Sequence, residues 1–342
     1  MKLRNKKELW KENYYNHLEP GFVESWDFSK ANTSHESRVQ AVSTIASVCY
    51  GNNSLKPNFK LFDKLARESI GLPSSSFEFV PILIDSGKVK IMQNYIEKFI
   101  LDFGFTLLKN DKLKKELEIE NKDIINHILN EIEKVLKKTN HDLELNIIRF
   151  GYWINQNYLI TNLRALMYDI AFFNYIKENF DINYFSEFKW LFDIEDKIWY
   201  NTKPEEIFLI ENNFHVFRIK MTIRDARQFL RHRRASYQEL SRRYTTLNKI
   251  PIDFRLTPKM NTDSNIEYIV KGIEKVNEAL ENGISMQEAR DLLPVSTYTI
   301  IWNAWYPDGL RNFFNLRLKS SAQKEIRDIS EAMQDLLGVK ND

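Results

Sequence analysis

The sequence has a single cysteine, Cys49, among 342 residues. That excludes an internal disulfide framework and a multi-cysteine metal centre, and it suits a reducing, cytoplasmic setting. No apolar run is long enough to span a bilayer; residues 99–108 form one of the longest, and it is short and interrupted. The opening MKLRNKKELWKENYYN is charged and lacks the apolar stretch of a secretory signal. HExxH is absent, and the histidines at 17, 35, 127, 141, 215 and 232 form no pair at metal-ligand spacing, so no metal site is expected. Charge of either sign is also not in excess: 49 Lys and Arg against 47 Asp and Glu give a net charge of +2. Overall charge therefore does not point to a polyanion, and any basic site has to be local.

What is present is ample core material, 43% hydrophobic and 13% aromatic, enough for one large domain or two ordinary ones. Apolar spacing predicts helices over 37–50, 59–70, 265–282, 286–293 and 310–337. Between 88 and about 200 the chain reads as helical and rich in Lys and Glu, a pattern typical of solvated amphipathic helices. The runs 77–84 and 208–221 read as strands, and 223–247 as an arginine-rich helix. Periodicity thus supports a helix-rich α+β chain. There is also a weak internal echo: IEKV occurs at Ile132 and at Ile273, followed by NLRALMYDIAFF from Asn162 and GLRNFFNLRL from Gly309. Chance similarity between helices and a degenerate duplication both account for it.

The stretch Arg227–Tyr244, RQFLRHRRASYQELSRRY, carries the chemistry. Seven arginines lie at 224, 227, 231, 233, 234, 242 and 243, opposed locally only by Asp225 and Glu239. So many guanidinium groups repel one another unless an anion or a long-range partner compensates. On a helix, Arg224, Gln228 and Arg231 would share one face. The planar guanidinium suits bidentate contact with phosphate or carboxylate, so a phosphorylated nucleotide is a natural ligand. A solvated basic helix or a nucleic-acid face would share the charge. The stretch lacks interleaved exposed aromatics for base stacking, which disfavours nucleic acid, and it has no glycine, which excludes a P-loop or a dinucleotide-binding turn.

RHRRASYQELSRRY resembles the signature of the flavin-dependent thymidylate synthases, an Arg-His-Arg followed by Ser-x-Asn-Glu-x-Ser-x-Arg-Tyr. ARDLLP at Ala289–Pro294 with Tyr298, and FFNLRLKSSAQKEIR at Phe313–Arg327, resemble further blocks of that family in the same order. Together they cover about the last 130 residues. Three positions depart from the pattern. Gln238 replaces an asparagine. Tyr306–Pro307–Asp308 stands where the family has an Asn-x-Arg flavin contact. The family's Gly-His-x-Ser/Thr-x-Phe-Glu-His segment has two partial candidates, Gly71–Phe79 (GLPSSSFEF) and the run from Ile210 (IENNFHVFRI). Strand continuity favours the second, which keeps Glu211.

The resemblance implies an α+β fold with a central mixed or antiparallel sheet flanked by long helices, in a homotetramer with shared active sites. Residues 205–342 would form the catalytic region; residues 1–204 would be a helix-rich addition or a degenerate repeat. It implies conversion of dUMP to dTMP, with FAD as hydride carrier and NADPH and methylenetetrahydrofolate as co-substrates. Arg231, His232, Arg233, Glu239, Asn312 and Glu211 would contact FAD. Gln228, Arg231, Glu239, Ser241, Arg242, Arg243, Arg290 and Arg317 would hold dUMP, with Arg317 beside the uracil as the electrostatic catalyst. The departures leave open a related enzyme acting at C5 of another pyrimidine nucleotide, or a non-catalytic nucleotide- or nucleic-acid-binding homologue.

Overall fold

The computed structural model describes residues 1–11, 19–51, 54–66, 73–109, 121–139, 144–179, 201–243 and 252–339. A five-stranded sheet runs in the order β1 (Lys2–Leu9), β2 (Gly21–Asp27), β6 (His215–Thr222), β8 (Tyr298–Trp305), β7 (Ala235–Glu239). A three-stranded sheet runs β3 (Pro81–Asp85), β5 (Tyr158–Asn162), β4 (Tyr152–Trp153). Among the described residues every strand pairing is antiparallel, so the chain is α+β as expected, and the sheets described are antiparallel. The larger sheet draws β1 and β2 from before residue 204 and its other strands from after 205.

Period-two alternation on β8 sends side chains into two cores. Ile301 and Trp305 face a core with Phe229 and with Phe313 of α11 (Pro307–Arg317) and Ile329 and Met333 of α12 (Lys324–Leu337). Trp302, Ala304 and Tyr306 face the opposite core, shared with α1 (His35–Ser47), β3, β5 and α6 (Leu163–Asn179). β8 is therefore covered on both faces, and the segments beside it are held on a rigid strand.

Several local expectations change. The helix expected over 223–247 is only α8 (Ile223–Phe229); after a turn the chain becomes β7, an edge strand on β8, and residues 244–251 lie outside the described residues. The free edge of β8 offers ladder hydrogen bonds that propensity cannot register. Arg231 therefore lies beyond the helix that would have aligned it with Arg224 and Gln228. Residues 75–79 form a 3-10 turn capped by the Ser74 hydroxyl, and the strand starts only at Pro81. Residues 207–213 form a helix, α7 (Ile207–Asn213), before the strand starts at His215. The stretch expected to be helical from 88 to 200 contains β4 and β5; its residues 110–120, 140–143 and 180–200 lie outside the described residues. The helix expected over 265–282 is present as α9 (Asp263–Glu281), started by the Thr262 hydroxyl accepting from the backbone of Asn265. Next comes the four-residue α10 (Met286–Ala289). Three helices complete the order: α2 (Phe59–Ala66), α3 (Ser86–Lys109) and α4 (Asn121–Thr139), with the short α5 (Asn146–Arg149) preceding β4.

Candidate functional site

β6 runs directly into α8. At their junction the Thr222 hydroxyl donates to Asp225 Oδ2 at 2.6 Å and accepts from the Asp225 backbone at 3.3 Å. α8 stops after two turns, and the turn into β7 is braced by Tyr237. Its hydroxyl lies 2.9 Å from the His232 carbonyl and 3.2 Å from that of Phe229. This places His232 inside an aromatic box, edge-on to Phe313 at 4.8 Å between ring centroids and near Trp305. Burial, and secondarily the charge of Arg317, push the His232 pKa down to about 4. The imidazole is therefore neutral at physiological pH. Its Nε2 accepts from Arg317 Nε at 2.9 Å, which assigns its proton to Nδ1.

Arg317 ends α11, and its Nη2 donates to the Gln228 carbonyl at 3.2 Å. Both of its acceptors are uncharged, and no carboxylate pairs with it among the described residues. Burial, and then repulsion from Arg231, lower its pKa, although a guanidinium remains cationic at neutral pH. The Gln228 amide is held by the Gln323 amide. Gln323 Nε2 in turn donates to Glu325 Oε2 at 2.8 Å and Asp225 Oδ1 at 3.2 Å. Arg224 bridges the same two carboxylates at 3.2 and 3.3 Å. Glu325 on α12 is thus a long-range partner that the local sequence did not reveal.

On β7, Glu239 accepts from Thr299 Oγ1 at 2.9 Å; burial raises its pKa and that hydrogen bond opposes the rise. Gln238 accepts from Ser75 Oγ at 2.9 Å, and its amide meets Cys49 Sγ. The cysteine is half-buried beside the strand. Beyond β7, the Arg242 guanidinium lies against the Tyr298 carbonyl at 3.5 Å, and burial lowers its pKa to about 10. Ser241 is half-buried and Arg243 is exposed. Arg227, Arg231 and Arg233 are exposed and have no acidic partner among the described residues.

Arg234 behaves differently. It pairs with Asp308 at 2.6 Å and reaches the carbonyls of Arg149 at 3.4 Å and Gly151 at 3.3 Å. Asp308, the acid standing at a position of expected positive charge, is neutralised in this way. Close approach here requires Gly309, since a Cβ on it would lie 2.5 Å from the Arg234 carbonyl.

The structure brings Gln228, His232 and Arg317 into one hydrogen-bonded group, with Glu239 and Arg242 along the neighbouring strand. It does not bring in three others. Glu211 lies on α7 and pairs with Arg4 at 2.8 Å; Arg290 and Asn312 are exposed. Among the described residues none of these three bonds to the arginine segment. Of the two partial Phe-Glu segments, it is the one ending at Phe79 that packs on β7. Glu78 shares a cavity of about 700 Å³ with Arg233, Arg234 and Ser236. The run from Ile210 instead forms α7 and leads into β6; Gly71 and Leu72 lie outside the described residues. Gln323 lies within the block Phe313–Arg327, but nothing in its local sequence marks it as the residue that holds Gln228. Tyr237 carries no sequence signal beyond being aromatic, and Tyr306 stands out only as a departure from the family's Asn-x-Arg contact.

Among the described residues, no group of three acidic, histidine or cysteine side chains could hold a metal ion, and no helix is long and apolar enough to cross a membrane. Residues 208–339 match the family described as "Thymidylate synthase complementing protein". The flavin-dependent thymidylate synthase of Kosmotoga olearia is 34% identical over 171 residues, covering 41% of this chain and 74% of the relative. That of Thermotoga neapolitana is 34% identical over 141 residues, covering 38% and 64%. That of Aquifex aeolicus is 29% identical over 147 residues, covering 37% and 46%. The chain thus spans less than two thirds of the length of the last two.

Proposed function

Because the chain belongs to the flavin-dependent thymidylate synthase family, we propose that it converts dUMP to dTMP by reductive methylation, with FAD, NADPH and methylenetetrahydrofolate. The observation that carries this reading is the setting of Arg317. Its Nε and Nη2 meet a neutral imidazole and a backbone carbonyl, which orient the guanidinium without cancelling its charge. Such a cation beside uracil N3 and O2 stabilises the negative charge that builds on the ring as C5 becomes nucleophilic. Gln228 and Arg231 flank the base in this reading. Ser241, Arg242 and Arg243, contributed by a neighbouring subunit of a homotetramer, hold the phosphate with Arg290, and Glu239 lies nearby.

The donor set fits an anionic dinucleotide. Arg233 has no acidic partner among the described residues, and the buried Tyr306 hydroxyl approaches Asn162 without hydrogen-bond geometry. Arg231, Arg233 and Glu239 hold FAD on this reading, His232 acts through Arg317, and Asn312 and Glu211 need a subunit contact to take part. Bound flavin supplies the hydride transfer that no side chain here can perform. Cys49, held against Gln238, is not needed as a nucleophile. Residues 205–342 form the catalytic region, and a reducing cytoplasm suits the single thiol.

The test is direct. Purified protein should show oxidised-flavin absorbance near ~450 nm and release tritium from 5-³H-dUMP in preference to labelled UMP or dCMP. Colourless protein that releases no tritium even with added FAD would falsify the proposal.

A further inference from the structure

The two halves of the chain share a plan. In each, a central strand (β5 or β8) pairs antiparallel with an earlier strand (β3 or β6), the last residue of one opposite the first of the other: Asn162 with Pro81, Trp305 with His215. β3 and β6 each run straight into a helix, at Ser86 and Ile223. Each central strand also leads into a helix, at Leu163 and Pro307. Before each central strand comes a 19-residue helix, α4 or α9, and then a four-residue one, α5 or α10. The IEKV echo falls within one position of the same point in the two long helices, starting at Ile132 and Ile273. The third strands differ: β4 follows the short helix, whereas β7 precedes the long one. Chance similarity between helices accounts for a four-residue match, but less readily for the elements that do correspond among the described residues, with their matching strand ends.

At the strand-to-helix junctions, Asn162–Leu163–Arg164 occupies in the first unit the place of Tyr306–Pro307–Asp308 in the second. The two junctions meet: Asn162, Arg164 and Tyr306 all line the cavity that holds Arg233 and Glu78. Five basic and two acidic side chains line it. The Arg149 guanidinium lies over the Phe150 ring at 5.3 Å and that of Arg164 over Tyr168 at 5.5 Å. Arg164 also pairs with Glu78 and donates to the Pro73 carbonyl at 3.0 Å. The buried Tyr306 hydroxyl, beside Asn162, adds a polar group to the same wall. A net-positive wall with flat aromatic faces, in a volume of about 700 Å³, suits a nucleotide-sized ligand with a diphosphate.

We propose that residues 81–179 are a diverged internal copy of residues 215–317, and that the cavity between the copies binds a diphosphate-bearing aromatic ligand within one chain. Arg149 and Arg164 of the first copy then face Arg233 of the second. On the reading of function above, on which the identity of the ligand rests, that ligand is FAD. The first copy supplies a wall that would otherwise have to come from another subunit.

The experiment measures FAD and ADP affinity by equilibrium dialysis on the full chain and on Arg149→Gln, Arg164→Gln and Arg233→Gln, with tritium release from 5-³H-dUMP in parallel. Arg149 and Arg233 are exposed, so their variants keep the core intact; circular dichroism and melting check this. Arg149→Gln and Arg233→Gln are each expected to weaken FAD and ADP by about ten-fold or more, and Arg164→Gln, whose charge Glu78 already pairs, by a smaller factor of about three; all three should leave riboflavin, which lacks the diphosphate, unaffected. If Arg149→Gln and Arg164→Gln bind FAD as the unaltered chain does, the proposal is overturned, while continued dUMP turnover leaves the function standing. If FAD and ADP binding depend on these arginines but the unaltered chain never releases tritium, the proposal stands and the function falls. Failure of the unaltered chain to bind either ligand overturns the proposal. Co-expressing differently tagged Arg149→Gln and Arg233→Gln chains separates one-chain from two-chain sites. Mixed oligomers should regain no binding; recovery of about a quarter of the sites, the share that random pairing restores, would overturn assembly within one chain. A chain that binds FAD as a monomer supports it without mixing.

Discussion

Arg234 and Arg317 both belong to the arginine-rich region, and their surroundings differ in one respect. Arg234 has a carboxylate, Asp308, and two backbone carbonyls from the 149–151 segment. Arg317 has only a neutral imidazole and a carbonyl. The first arrangement cancels charge and ties three segments together. The second orients a charge and leaves it for a ligand. A sequence rich in arginine therefore holds two kinds of arginine, distinguishable by their acceptors rather than by spacing.

The largest effect should come from Arg317→Ala. We expect kcat/KM for dUMP to fall by about 10²–10³-fold, as when a charge-stabilising donor is removed, while the melting temperature barely moves. A comparable loss of stability would erase the distinction from Arg234. Next, Gly309→Ala forces a Cβ against the Arg234 carbonyl and should destabilise the fold by about 1–3 kcal/mol in denaturant titrations; an unchanged midpoint would show that the junction gives way. Arg234→Ala should cost only about 1 kcal/mol, because its ion pair is partly exposed, and it should reduce turnover far less than Arg317→Ala.

His232 offers a pH test. Its folded pKa is lowered to about 4 from an ordinary 6.5, so below pH 6.5 the unfolded chain binds a proton that the folded chain refuses. The stability it contributes is complete above 6.5 and is lost as pH falls toward 4. His232→Gln should flatten the slope of unfolding free energy over that range; His215, also lowered to about 4, continues to contribute. The smallest effect is expected for Cys49→Ala, with dUMP turnover within about two-fold of the unaltered chain, since a structural thiol beside Gln238 makes no covalent intermediate. Abolished turnover with the fold retained would require a nucleophilic role.

Much of this was legible in advance, and for identifiable reasons. α9 was visible because its apolar period and threonine cap are local; α11 and α12 fall in the helical span expected over 310–337, which the chain breaks between 318 and 323. β7 was hidden: RASYQE has no strong strand preference, and only the free edge of β8 makes it extended. Glu78 and Glu211 each sit in a partial motif, and strand continuity favoured Glu211. The Ser75–Phe79 turn packs on β7 and places Glu78 in the cavity with Arg233, whereas Glu211 pairs with Arg4. Gln323 could be read as part of a block, but not as the residue holding Gln228.

The sequence by itself determined the α+β composition, the scarcity of thiols, and the chemical kinds gathered in Arg227–Tyr244, because residue identity, periodicity and charge are local properties. Tertiary structure alone decided which arginines are neutralised and which remain available. It also decided that His232 is neutral, and that residues around 149–164 share a cavity with Arg233. Those outcomes depend on burial and on acceptors brought from distant points in the chain, and neither can be expressed by spacing along it.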